Sequence, residues 1–214
     1  MPTDAPTLRD HWWPRPGWHP GRLVYTWHLT FDDAPELHRL AAAYQRQLAT
    51  LPGLNLVPLE WLHLTVQGVG YTDEIDDDAL RAVVTSVQKR LAGVPAFDAR
   101  FSQPTIFAEA IVLTPEPSEP FHAIQTAIRD GIADALGADA VNTGPAQSAQ
   151  FRPHVSLAYS AAEHASEPYR AALDAIEPAP ASTRIARATL ITQNRVLAPE
   201  WVYRWTTEAD APLR

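Results

Sequence analysis

Hydrophobic periodicity in this chain alternates between the two-residue repeat of strands and the longer repeat of helices, in an order that occurs twice, and this recurrence restricts the fold most. LVYTWHLTF (23–31), rich in aromatic and β-branched residues, reads as a strand. Leu37, Leu40, Ala41, Tyr44 and Leu48 then mark one face of a helix. After Pro52 and Gly53 come the strand-like runs LNLVPL (54–59) and WLHLTVQGV (61–69). Asp76, Asp77 and Asp78 supply a cap and a dipole complement for a second helix, striped by Leu80, Val83, Val84, Val87 and Leu91.

The second half repeats this outline. FDARFSQ (97–103) and TIFAEAIVL (105–113) read as strands, and Ser118 with Pro120 opens a helix marked by Phe121, Ile124, Ile128, Ile132 and Leu136. A loop over 137–150 leads to the strand FRPHVSLAYS (151–160), then to a short helix with Tyr169, Ala172, Leu173 and Ile176 on one face. STRIARATLITQ (182–193) and EWVYRWTTE (200–208) close the chain as strands around a turn at Leu197 to Pro199. The expected fold is therefore α+β and bilobal: duplicated β-α-β-α-β units with antiparallel-rich sheets around a central cleft.

Residues 1–21 stand outside this pattern as a Trp- and Pro-rich N-terminal arm, leaving 22–214 as a single domain. DHWWPRPGWHPG has no regular period, and its prolines oppose helix and central strand. Trp12 and Trp13 suit either of two roles: covering apolar surface, or forming a lid that stacks on bases.

Composition narrows the partners. Seventeen Lys and Arg against 25 Asp and Glu give a net charge of -8, so no basic field draws nucleic acid from a distance. Cysteine is absent, which removes disulfides and thiolate chemistry. No apolar stretch approaches the roughly 20 residues of a membrane span, and the first ten residues lack the character of a signal peptide. A cytoplasmic monomer without a membrane partner is the expectation.

Two short segments carry the chemistry: His63-Leu64-Thr65-Val66 and His154-Val155-Ser156-Leu157, each on the strand that follows the first helix of its half. On a strand, residues i and i+2 share a face, so His63 pairs with Thr65 and His154 with Ser156, while the intervening apolar residues point into a core. Across an approximate two-fold axis the four polar side chains would meet in one groove. One imidazole can take a proton from an attacking oxygen while the other gives one to a leaving oxygen, and the two hydroxyls can hydrogen-bond non-bridging phosphate oxygens. The scheme calls for no metal and no organic cofactor, and no carboxylate stands two or three residues beyond either histidine to complete a zinc site. A third copy, His28-Leu29-Thr30-Phe31, lies on the first strand, where His28 either touches the site or packs beside His63.

These paired H-x-T/S motifs, separated by 91 residues, resemble those of the 2H phosphoesterase superfamily, and FRPHVSLA is close to its second motif in the 2′-5′ RNA ligase and cyclic phosphodiesterase branch. The resemblance implies a bilobal fold, catalysis by His63 and His154, phosphate binding by Thr65 and Ser156, and cleavage of 2′,3′-cyclic phosphates or 2′-5′ linked nucleotides and RNA ends. Some members also join RNA ends. The chain departs from the pattern where Tyr159 stands five residues beyond His154 in place of a common arginine, and where Val66-Gln67-Gly68 replaces a more usual aromatic. On a regular strand Tyr159 faces away from His154, whereas Arg152 shares the histidine's face and is the candidate substitute cation. A non-catalytic nucleotide- or RNA-binding module using the same cleft is the alternative.

Overall fold

The computed structural model describes residues 4–142 and 151–214, so part of the loop expected over 137–150 lies outside the described residues. In chain order the elements are β1 (Thr7–Leu8), β2 (Val24–Thr30), α1 (Pro35–Leu48), β3 (Leu54–Leu56), β4 (His63–Tyr71), α2 (Asp77–Leu91), β5 (Phe97–Phe101), β6 (Pro104–Ile106) and β7 (Ala110–Leu113). There follow α3 (Glu119–Leu136), β8 (Val155–Ser160), β9 (His164–Ala165), α4 (Glu167–Asp174), β10 (Ala181–Ile185), β11 (Arg187–Val196) and β12 (Val202–Pro212). The fold is α+β, and every strand pairing among the described residues is antiparallel.

Two four-stranded sheets form the body, in the orders β12-β11-β2-β4 and β3-β8-β7-β6. Helices α2 and α3 pack together behind the first sheet, against β12 and β4, while α1 packs on β3 and β8 of the second and on α4. Neither sheet comes from one half of the chain: β3 joins the second-half strand β8, and β11 and β12 complete the sheet begun by β2 and β4. Periodicity did not reveal this exchange, because it records which face of a strand is apolar and not which strand lies beside it.

The helices follow their stripes closely. Leu37, Leu40, Ala41, Tyr44 and Leu48 are all buried under α1, and Asp76 caps α2 by accepting a 2.8 Å hydrogen bond from the Ala79 amide. That aspartate run is thus a helix start. Shorter elements differ from expectation. LNLVPL ends as a strand at Leu56, its last hydrogen bond to β8 made by the Val57 amide, and Pro58 then starts a 3-10 turn over Leu59–Trp61. TIFAEAIVL is a hairpin, β6 and β7, folded at Phe107 to Glu109. STRIARATLITQ divides at Ala186 into β10, which pairs with β5 in a separate ribbon, and β11. Helix α4 ends at Asp174, before Ile176 of the expected stripe.

The N-terminal arm is tied to the body at several points. Thr7 and Leu8 pair with Ala165 and His164, and Glu109 in the β6–β7 hairpin gathers Arg9, Arg15 and the indole of Trp13 within 3.1 Å, with His11 Nδ1 at 3.5 Å. Burial raises the proton affinity of the Glu109 carboxyl, but the nearby His11 ring and the hydrogen bonds from Arg15 and Trp13 outweigh it and hold the group down at about 2. Among the described residues Trp13 is the one large apolar side chain left open to solvent, at 39% exposure.

Candidate active site

Strands β4 and β8 sit in different sheets, yet approach within 8 Å between Cα atoms. They carry the two H-x-T/S segments, and His63 begins β4 while His154 immediately precedes β8. Leu64, Val66, Val155 and Leu157 turn into the core, as the two-residue repeat requires.

The two histidines are held alike. His63 Nδ1–H donates to the carbonyl of Trp61 at 2.8 Å, and His154 Nδ1–H donates to the carbonyl of Arg152 at 2.7 Å. A carbonyl only accepts, so each bond fixes the proton of the neutral ring on Nδ1 and leaves Nε2 as the free base. Each partner carbonyl lies two residues before its histidine, so the orientation is built into the backbone that delivers the ring.

Both strands also carry a bulge at the same motif position. Val66 is skipped in the pairing of β4 with β2, and Leu157 in the pairing of β8 with β7; each stands three residues beyond its histidine. An extra residue reverses which side the following residues face. Gln67 therefore turns away from His63 and accepts a 3.1 Å hydrogen bond from Arg129 of α3. Tyr159 turns toward the Ser156 side, contrary to the regular-strand expectation, and meets the Ser156 hydroxyl. The carbonyl of Leu157 accepts from the Val57 amide at 2.9 Å and from Gln45 at 3.0 Å, so the bulge leaves no stranded oxygen there.

Aromatic rings line the space between the sheets. Trp205 meets the edge of His63 at 5.1 Å between centroids, Tyr203 lies 6.5 Å from the same ring, and Tyr159 packs at 5.5 Å from Tyr203. Motif spacing does not single out Tyr203 or Trp205, although their positions in EWVYRWTTE place both on one strand face. From the arm, His11 stacks on Tyr159 at 4.2 Å and shares a 2.9 Å hydrogen bond with the Tyr203 hydroxyl. Trp12 stacks on Tyr203 at 5.3 Å and donates its indole N–H to Asn55 at 2.9 Å. Thus both arm residues bridge the two sheets. At 5% exposure Trp12 is a packed residue and not an open stacking platform, and no sequence signal marked His11.

The remaining candidates are placed as follows. Arg152 is exposed and lies 4.1 Å over the ring of Phe107, which itself packs 5.2 Å from His154. Trp13 sits beneath the Arg15 guanidinium at 4.0 Å. His28 has 0% exposure and offers no surface to a ligand; it stacks on His63 at 4.4 Å and lies 3.2 Å from the Thr65 hydroxyl. Buried Arg195 donates to the carbonyls of His11 and Trp13, at 3.4 and 3.0 Å, and so pins the arm from below.

Burial disfavours the charged form of both motif histidines. Burial pushes His63 down to about 4, opposed by its bond to Trp61 and assisted by repulsion from His154 and His11 when those are charged. His154 is lowered as well, chiefly by burial and further by the Arg152 guanidinium, against the pull of the Arg152 carbonyl. Among the described residues no three histidine or carboxylate side chains gather in a set that would hold a metal ion, and no helix is long and apolar enough to cross a membrane.

Two helix-backed antiparallel sheets whose adjoining strands each present an H-x-T/S segment define the class of 2H phosphoesterases. Residues 31–197 match the family model described as the 2'-5' RNA ligase superfamily, and the chain belongs to that family. Among solved structures it is similar to TT0787 of Thermus thermophilus, with a TM-score of 0.66 and 21% identity over 90% of this chain and 98% of that one. It is also similar to E. coli LigT complexed with 3'-AMP, at TM-score 0.61 and 17% identity over 90% and 98% of the two chains. A protein described as a phosphoesterase matches at TM-score 0.59 and 19% identity over 91% and 99%. At these identities the likeness is one of fold. No curated protein sequence matches the chain.

Proposed function

We propose that this protein is a metal-independent phosphodiesterase that opens 2′,3′-cyclic phosphates, or cleaves 2′-5′ linkages at nucleotide and RNA ends, by His/His general acid–base catalysis. The observation that carries the reading is the matched hydrogen bonding of His63 and His154, each of which reserves Nε2 for chemistry on strands that adjoin across two sheets. Burial holds His63 down at about 4 and so keeps its ring in the neutral, proton-accepting form, and it is assigned as the base. Its Nε2 takes a proton from the attacking water as the new P–O bond forms. His154, charged beside the anionic substrate, gives its Nε2 proton to the leaving ester oxygen, 2′ or 3′ in a cyclic phosphate and 2′ or 5′ in a 2′-5′ linkage, as the old P–O bond breaks. Thr65 and Ser156 donate to the non-bridging oxygens.

Nucleotide substrates accord with the 3'-AMP held by the LigT structure and with the aromatic walls around His63. Purified protein should hydrolyse at least one substrate among 2′,3′-cyclic nucleotides, 2′-5′ dinucleotides and RNA bearing a cyclic phosphate end. His63→Ala and His154→Ala should each lose about a hundredfold or more in kcat while still binding nucleotide. Tight nucleotide binding with no turnover in the wild type would instead identify a binding module.

A further inference from the structure

His28 is the one histidine at this site that cannot meet a substrate. Its side chain is wholly enclosed between His63, whose ring lies parallel within 7°, and the edge of Trp205 at 5.6 Å. Only one of its nitrogens has a partner: Nε2 lies 3.2 Å from Thr65 Oγ1, whereas Nδ1 is buried with none. A histidine buried among rings at the cost of an unpaired nitrogen calls for an explanation.

The choice of tautomer supplies one. If the proton sat on Nδ1, an N–H donor would be stranded in an apolar pocket and Nε2 would accept the Thr65 proton. That proton would then be turned away from the cleft. With the proton on Nε2, the unpaired atom is a lone pair, which proteins tolerate better than an orphaned N–H. Thr65 Oγ1 then accepts from His28, and its own hydrogen is free to point elsewhere. Charging His28 is opposed on two sides, because an imidazolium would be desolvated and would stand 4.4 Å from the ring of His63. Burial, and next the charge of His63, hold it well below the ordinary histidine range.

We propose that His28 is a positioning residue for the phosphate site. As a permanently neutral Nε2–H donor to Thr65, it turns the threonine hydroxyl hydrogen toward the cleft, and its ring serves as the plate that fixes the plane of His63. A Thr65 hydroxyl left to rotate would have to be ordered by each substrate in turn; one already oriented is a preorganised donor. The role of the Thr65 hydrogen rests on the phosphodiesterase reading above. The tautomer and the hydrogen bond do not.

Two measurements test the proposal. Long-range proton–nitrogen NMR of imidazole-labelled wild-type protein should find Nε2 protonated and Nδ1 bare on His28, without titration between about pH 5.5 and 8. The opposite tautomer, or an imidazolium, overturns it. For the second, kcat/KM on a 2′,3′-cyclic nucleotide is compared for wild type, Thr65→Val, His28→Phe, the double variant and His28→Gln, which keeps a donor near the Nε2 position. Each of the first two single changes should lose about tenfold, seated in kcat, and the double change no more than either. His28→Gln should regain most of the loss. Multiplying losses, or no rescue by glutamine, would show that His28 acts only as packing. Should the wild type turn over nothing, the phosphodiesterase reading falls, and the same cycle is read as Kd for a nucleoside 3′-monophosphate, where independent effects again overturn the role of His28.

Discussion

Acidification from about pH 7.5 to about pH 5 should cost the folded state about 2 kcal/mol through His63 alone. The residue is 7% exposed and its proton affinity falls from the ordinary 6.5 to about 4 in the folded chain. In this window the unfolded chain binds a proton that the folded chain refuses, so stability falls as pH falls. Linkage between those two values gives almost nothing at pH 7.5, about 2 kcal/mol at pH 5 and about 3 kcal/mol at pH 4. His28, His154 and His11 are shifted the same way and steepen the wild-type slope further. The test is a difference. Urea unfolding of wild type and His63→Asn at four pH values separates the share of His63 from that of the carboxylates, which titrate alike in both proteins. The variant is expected to be the less pH-sensitive by about 2 kcal/mol between the two ends of the range. Parallel stability curves would refute the argument, since they would mean that His63 takes up its proton in the folded state as readily as in water.

Three further outcomes follow from the geometry. Activity should survive excess chelator, because no metal enters the proposed proton transfers; loss of turnover with EDTA, restored by a divalent ion, would contradict them. Gly131→Ala should lose about 1 to 3 kcal/mol in thermal or urea unfolding despite the better helix propensity of alanine, because a Cβ there would lie 2.8 Å from Val87 Cα of the packed helix α2. Glu109→Gln should loosen the arm that its carboxylate gathers, seen as faster tryptic cleavage after Arg9 or Arg22 while the body stays intact; an unchanged cleavage rate would show that the aromatic packing of His11 and Trp12 suffices.

Much of the fold was legible because burial leaves its period in the sequence. The stripes of α1, α2 and α3 were readable, as was the placement of each H-x-T/S segment on a strand, since both follow from residues within one element. Pairing is different in kind. Nothing local in LNL announces that β3 will join β8, and the turn at Phe107 to Glu109 contains neither glycine nor proline to mark the hairpin inside TIFAEAIVL. The bulges at Val66 and Leu157 were equally silent: a skipped residue is a property of two strands, and either valine or leucine suits a regular position. Tyr159 shows the consequence, for its side of the sheet depends on the skipped Leu157 and not on its distance from His154.

The same two bulges explain how so short a motif can specify a site. From His to Thr or Ser the strand keeps its regular alternation, which holds the imidazole and the hydroxyl on one side. Immediately afterwards the alternation breaks, sending Gln67 back to α3 and bringing Tyr159 forward. Without the break, Gln67 would project beside Thr65, and Tyr159 would be driven into the packing of α1 against β8. The arm then closes on what the second bulge exposes. His11 covers Tyr159, and Trp12 ties Tyr203 of one sheet to Asn55 of the other. A segment without periodicity therefore owes its fixed position to a register shift more than a hundred residues away in the chain, and the walls around His63 depend on both.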